Sequence, residues 1–423
     1  MIAAAQAAVA PAYPAPAVAT TSLRERILLV VLFLAVLASS VAFIEPSPHD
    51  ALMGVLAIAA VIAGVRFERT LLVPLILLMV WNLGGLLALL NVLNEEKTIL
   101  YAVTSVYLAV AAMIFAMIFA QNSMRRLTVM RVAYVITAVL ATIAGAIGYF
   151  QLFGMGEILA ASQRAAGGFK DPNVFGPFLI WPALFLLDRM VARRIYLTDA
   201  IVAGVILFGL LLSFSRGAWF HFGLSCAVMI ALDFATAPTL RARARVITFT
   251  VAAVAVAALL FLFLLSFDSI GEMFKVRAQL IQDYDVGSGG RFRMQELALT
   301  SLLSFPGGMG PFEFARVNGL QQHNVYLQSF LVYGWTGAMA YLMLLLSTVF
   351  VGLRAALVRT PWQPYLITAL AAFIGEMAEG FIIDTDHWRH FFLLLGIVWG
   401  LSAATIKAVR EQRTPPPFMR AAS

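Results

Sequence analysis

Apolar stretches close to the length that crosses a bilayer recur along almost the whole chain. Twelve can be counted, at 27–44, 51–65, 70–91, 99–120, 129–153, 171–187, 197–214, 217–233, 246–266, 323–350, 363–383 and 390–407. A membrane-spanning helix needs about 20 such residues. Composition agrees: of 423 residues, 62% are hydrophobic and 12% charged, against about 45–50% and about 25% in soluble domains. Too few polar residues remain to cover one soluble core. That excludes an ordinary cytosolic enzyme, a disordered chain and a disulfide-stapled secreted domain. Cys226 is the single cysteine and has no partner in the chain for a bridge. The fold class expected is all-α, a polytopic membrane protein with about 12 transmembrane helices and a partly helical outer loop.

A net charge of +7 raises the question of nucleic acid, and its distribution answers it. Twelve spans put both termini on one side. With that side cytoplasmic, 19 of the 29 Lys and Arg fall on it, among them Arg24, Arg125, Arg189, Arg241, Arg354 and Arg410. This is the bias of short cytoplasmic loops, so the basic excess reads as topology and no nucleic-acid partner is expected. Residues 1–22, rich in Ala and Pro, read as a disordered cytoplasmic tail, 23–408 as the membrane domain and 409–423 as a basic cytoplasmic tail. The first span also resembles a signal peptide, with Ser40-Val41-Ala42 as a cleavage site. An uncleaved span gives the even count that the charges support. No repeat of fixed period is visible, so a duplicated transporter is not evident.

One connection is long. Residues 267–322 form a polar outer loop of 56 residues, and loops of that length are uncommon unless functional. It reads as an amphipathic helix from Ile270 to Ile281, the flexible run Gly287-Ser288-Gly289-Gly290, a second helix from Arg291 to about Leu303, and a Pro/Gly turn region from Phe305 to Pro311. Such helices, hinged by glycines, suit a lid over a lipid-facing cavity; a solvated connector is the other reading.

Cations gather at the outer ends of the spans. Arg164 precedes Gly167-Gly168-Phe169-Lys170-Asp171-Pro172-Asn173, in which Asp171 suits an N-cap and Pro172 the first helical turn. Arg216, in Ser213-Phe214-Ser215-Arg216-Gly217, lies in a very short turn between two spans. A guanidinium so near hydrocarbon is expensive unless it meets an anion or water; snorkelling or an internal salt bridge are the plainer readings. Arg291 follows the glycine run at a helix start, where free N–H groups and a cation favour phosphate. Arg277 and Arg293 read as loop cations facing solvent or lipid headgroups. Asp384 and Asp386, an Asp-Thr-Asp at a span end, are the best metal candidate, with a polar helix end beside His387 and Arg389 as the alternative. Glu376 and Glu379 fall inside a span, where an ionisable side chain is costly. Of the histidines, His49, His387 and His390 lie near the outer face and His221 inside a span. The fifth, His323, stands with Asn324 where the long loop re-enters the membrane. Nine residues separate Asn324 from Gly334-Trp335-Thr336-Gly337, whose two glycines let another helix approach. A neutral imidazole there can take a proton from a hydroxyl, and arginines on the same face can bind a diphosphate.

His-Asn, nine residues, then Gly-x-x-Gly, together with Arg164…Gly168-Phe169…Pro172-Asn173 and the Ser-x-Ser-Arg-Gly turn, resembles the signature of the bacterial O-antigen ligase and polymerase superfamily, over roughly residues 27–407. The resemblance implies a metal-independent glycosyltransferase of the bacterial inner membrane, without cofactor. It uses a glycan on undecaprenyl pyrophosphate as donor, with its site on the periplasmic face. It implies that His323 activates or positions the acceptor hydroxyl. It also implies that Arg216 and a loop arginine, Arg291 in preference to Arg277, hold the pyrophosphate. Arg164 is a further candidate for the diphosphate or first sugar, with Asn324, Gly334 and Gly337 supporting the motif. The expected activity is a ligase attaching the glycan to an acceptor such as lipid A–core. The alternative is a polymerase that extends the lipid-linked glycan of O-antigen, capsule or exopolysaccharide. A transporter or flippase is a third reading, set against the outward clustering of the arginines and His323.

Overall fold

A computed structural model describes residues 21–92, 96–192, 196–277, 279 and 290–413. Of the described residues, 79% are helical. Each apolar stretch read from the sequence contains a helix: α1 (Leu23–Leu37), α2 (Pro48–Ile62), α3 (Leu72–Leu89), α4 (Glu96–Phe119), α5 (Ser123–Tyr149), then, past a four-residue turn α6 (Gly156–Leu159), the pair α7 (Pro172–Phe178) and α8 (Ile180–Ala192), α9 (Leu197–Leu212), α10 (Arg216–Thr236), α11 (Leu240–Leu265), α15 (Val325–Ala356), α16 (Gln363–Glu379) and α17 (Arg389–Arg413). The long loop holds α12 (Asp268–Arg277), α13 (Arg291–Ser304) and α14 (Glu313–Asn318). Eight of these segments are long and apolar enough to cross a membrane: α3, α4, α5, α7 with α8, α10, α11, α15 and α17. The expected count of about twelve is not reached, because α1, α2, α9 and α16 run to 15, 15, 16 and 17 residues, short of a full span.

Three helix pairs make the core, α3 with α15, α4 with α17 and α10 with α16. Small residues bring the partners close, since helices in lipid gain by packing and not by escaping water. Gly337 of α15 lies against Gly84 of α3, where an added Cβ would strike the Tyr333 carbonyl. This is the helix approach expected at the second glycine of the motif. Gly334 does something else. At φ 65° it breaks α15, and the Pro306–Gly307 backbone of the long loop rests on it, with Trp335 N donating to Pro306 O at 2.9 Å. The loop is thereby pinned to the bundle at the kink.

Other boundaries also move. Pro177 interrupts the sixth stretch, splitting it into α7 and α8 at Leu179. Helix α12 ends at Arg277, earlier than the expected Ile281, and residues 280–289, including the Gly-Ser-Gly run, lie outside the described residues. The basic tail expected from 409 is helical as far as Arg413, because α17 continues; 414–423, like 1–20, lie outside the described residues. Ser22, placed in the tail, caps α1. The Ser40–Ala42 segment is built into the fold: Thr137 bonds Leu37 O and Ser40, and Ala42 N donates to Gly168 O at 2.7 Å.

Candidate functional site

Two sequence motifs interlock at one end of the bundle. Residues Ala160–Ala161 and Arg164–Ala165 pair as a minimal antiparallel hairpin whose turn residues, Ser162 and Gln163, both have positive φ. The hairpin sends Arg164 inward, where it is 8% exposed. Its Nε donates to Ser213 O at 2.7 Å and its Nη2 to Asn173 Oδ1 at 2.8 Å. Asn173 is held by the α7 cap, in which Asp171 accepts from Asn173 N and Pro172 begins the helix. Ser213 belongs to the turn that carries Arg216, and Ser215 caps α10 by accepting from Ala218 N. Arg216 is therefore fixed at a helix N-terminus and bonded through Arg164 to the other motif.

Arg164, Arg216, Arg277 and Arg291 line one cavity of about 480 Å³. They come from the hairpin, the start of α10, the end of α12 and the start of α13. Arg277, read from sequence as a loop cation and as second choice to Arg291 for the pyrophosphate, also lines the cavity, and its buried Nε has no hydrogen-bond partner among the described residues. Arg216 Nη1 donates to Gln279 O at 2.8 Å, which ties this residue of the long loop to α10. Arg293 pairs with Glu296 on the surface. Phe220, Phe292, Ile382 and Ile383 give the cavity apolar walls, Asn173 and Ser215 are polar, and Glu379 is the acidic group. Glu379 Oε2 lies 2.9 Å from His221 Nδ1, and His221 Nε2 donates to Ala372 O at 2.9 Å. Because a carbonyl only accepts, Nε2 carries a proton, and a second proton is shared between Nδ1 and Glu379. Gly217 leaves room for this pair, since a Cβ there would sit 2.7 Å from Glu379 Oε1. The costly intramembrane Glu379 and His221 seen in sequence thus answer each other. Glu376 Oε1 lies 3.2 Å from His390 Nε2, but neither atom completes a hydrogen bond of proper geometry among the described residues.

His323 does not line this cavity but stands beside it. Ile383 faces the arginines, and the next residue, Asp384, approaches His323 Nδ1 with Oδ2 at 3.6 Å. That is within ion-pair range and longer than a hydrogen bond. Burial raises the Asp384 carboxyl above its ordinary pKa, against the lowering effect of His323. Asn324 caps α15, accepting from Tyr326 N at 3.0 Å and Leu327 N at 3.1 Å, and donates to Phe381 O at 3.1 Å. His323 itself has φ 47°, a conformation that costs a non-glycine residue about 1–2 kcal/mol and that clusters at functional positions. Its ring is 36% exposed, with Nε2 facing away from Asp384.

Asp384 and Asp386 do not act as a pair. Asp386 accepts from Tyr101 Oη at 2.6 Å and Tyr333 Oη at 3.3 Å, and His387 Nδ1 lies 3.3 Å away. Burial would raise its pKa, but His387 and the Tyr101 hydroxyl bring it below the ordinary value. Among the described residues no group of three or more His, Cys, Asp or Glu is placed to hold a metal. Sequence reasoning missed the Asp384–His323 and Glu379–His221 pairings; the signal available was an acidic residue at a membrane depth or span end with no neighbour in sequence to neutralise it. No family model matches the chain, and no curated protein matches it significantly.

Proposed function

We propose that this chain is a membrane glycosyltransferase of the O-antigen ligase type. It moves a glycan from undecaprenyl pyrophosphate to a hydroxyl of an acceptor such as lipid A–core, on the periplasmic face of the inner membrane. The observation that carries the reading is the convergence of four arginines from four separate elements on one cavity beside a His–Asp pair. Guanidinium groups match phosphate oxygens with paired hydrogen bonds, and two of these arginines open helices whose first N–H groups also favour an anion. The motif resemblance supplies the reaction class.

In this reading Asp384 orients the ring so that Nδ1 keeps its proton and Nε2 accepts one. The acceptor hydroxyl passes its proton to Nε2 as its oxygen bonds to the anomeric carbon. The bond from that carbon to the diphosphate oxygen breaks, and its electron pair goes to the diphosphate, where the arginines meet the added charge. If α1, α2, α9 and α16 enter the membrane as shorter segments beside the eight long ones, the even count leaves both termini on one side, and the charge bias of the short loops supports the cytoplasm for that side and the periplasm for the site.

The test is reconstitution of the purified chain in nanodiscs with a polyprenyl-pyrophosphate glycan and a core-bearing lipid A. Attachment of the glycan to the lipid A–core supports a ligase. Longer polyprenyl-linked glycan with the acceptor untouched identifies a polymerase. Absence of any glycan transfer, with the protein folded, overturns the proposal.

A further inference from the structure

On the other side of the Asp384–Arg389 connection lies a larger cavity, of about 580 Å³, between α4, the start of α2 and the approach to α14. Its charge differs from that of the arginine cavity. Four arginines face one acid there, whereas Lys97 and Arg389 here are balanced by Glu45 and Asp50. A diphosphate would gain little from such a wall. Flat rings supply much of it instead: Tyr101 meets Phe312 edge-on at 5.3 Å and stacks near His387 at 3.9 Å between centroids. Phe312 is held at φ 63° and left 40% exposed. A bulky ring in the left-handed region at a cavity mouth is strained, and strain of that kind marks functional positions.

Polar groups sit between the rings. Arg389 grips Asp50 through Nε and Nη2, both at 2.8 Å, making a rigid planar pair. Next to it the Tyr107 hydroxyl is buried beside Asp50 and completes no hydrogen bond of proper geometry. Buried polar atoms left so are rare and call for a partner. Apolar faces, a planar ion pair, an incomplete hydroxyl and no net charge together fit an uncharged, hydroxyl-rich ring.

The wall is also connected to His323 from both sides. The Tyr101 hydroxyl donates to Asp386, two residues from Asp384, and accepts from Gln328 Nε2 at 3.1 Å. Gln328 in turn bonds Gln322, the residue before His323. We infer that this cavity is a saccharide subsite that holds an uncharged pyranose of the acceptor and presents its hydroxyls toward His323. The inference rests on the glycosyltransferase reading for the identity of the acceptor, and its test reads binding, not transfer.

Thr104 lines the cavity. A Cys226→Ala, Thr104→Cys chain in phosphatidylethanolamine–phosphatidylglycerol nanodiscs is labelled with a maleimide, and the rate is followed with three probes: lipid A bearing neutral core sugars, lipid A without sugars, and a polyprenyl-pyrophosphate glycan. At ten times its dissociation constant a bound sugar leaves about a tenth of the sites open, so the core-bearing probe slows labelling about tenfold. The sugar-free lipid and the polyprenyl glycan leave it unchanged. Tyr107→Phe and Phe312→Leu, each checked for a monodisperse folded protein, weaken the protection, and Arg216→Ala in the diphosphate cavity preserves it. Equal protection by lipid A without sugars makes this an acyl-chain groove and overturns the inference, as does protection by the polyprenyl glycan alone or by no probe. Transfer without protection sinks this inference and leaves the proposed function standing; protection without transfer does the reverse.

Discussion

The side-chain amide of Gln295 reaches the main-chain carbonyl of His323 at 3.4 Å. Gln295 lies one turn along α13 from Arg291, so a single helix touches both the arginine cavity and the backbone of the histidine. The same amide also donates to Phe381 O, at 3.2 Å, on the segment that leads to Asp384. The helix that carries Arg291 is thereby joined to the backbone on both sides of the His323–Asp384 pair.

His323→Ala leaves a folded, membrane-inserted protein that binds lipid-linked donor but transfers glycan about 10²–10⁴-fold more slowly, the usual loss for a positioned base. His323→Gln keeps a hydrogen-bonding group without the proton acceptor and is impaired to a similar degree. Single-turnover transfer in nanodiscs measures both. Near-normal rates from the Ala variant would remove the histidine from the chemistry.

Arg216→Lys and Arg291→Lys impair transfer strongly, because a planar fork becomes a point charge. Lys275→Ala and Arg316→Ala, the latter removing a surface pair with Glu313, change it little. Steady-state rates against donor concentration decide it; equal tolerance at the four positions leaves the pyrophosphate assignment without support.

Asp384 gives a pH signature. Its carboxyl is raised by burial, and the orienting form is the carboxylate, so transfer falls with acidification in a range above the ordinary value of about 4. Asp384→Asn has no such titration: its rate is lower on the plateau, and the acid limb that belongs to Asp384 disappears. A limb unchanged in the Asn variant would assign that titration elsewhere.

Glu379→Ala strands His221 in the core and costs about 3–5 kcal/mol, as removal of one partner of a buried pair does. The double variant with His221→Ala loses less than the two single losses combined, because the residues touch. Thermal unfolding of detergent-solubilised protein reads both; strict additivity would mean that the pair is not coupled.

Topology is tested by cysteine access. Thr300→Cys, exposed on α13, labels from the periplasm in intact cells, whereas Ala242→Cys at the start of α11 does not. The opposite pattern turns the site toward the cytoplasm.

Much of this architecture could be read from the chain before any coordinates. Hydrophobic length locates the helices, and the price of a cation near hydrocarbon marks Arg216. Helix-end chemistry was equally plain: Asp171 caps α7 and Pro172 opens it, as their residue types predict. What escaped depends on rotation and tilt. Asp384 meets His323, 61 positions earlier, only because α16 and α15 bring their ends together, and Arg277 joins the cavity because α12 folds back over α10. Gly334 was expected to admit a neighbouring helix, and its φ of 65° could not be told from the letter Gly. The four short helices mark the limit of counting by hydropathy, which sees apolar length and not where a helix stops.

Helix α11 is bound to the rest of the protein at its two ends. Arg245 reaches Met190 O of α8 at 3.3 Å, and Phe261 meets Phe274 of α12 edge-on at 5.0 Å. Of its 26 residues Val246 alone is buried. Such a helix works as a strut whose length, not whose side-chain pattern, sets the depth of what it carries. Removing one turn would draw α12, and Arg277 with it, about 5 Å toward the Leu240 end of the helix. The distance of that arginine from the other three is counted out in the residues of α11.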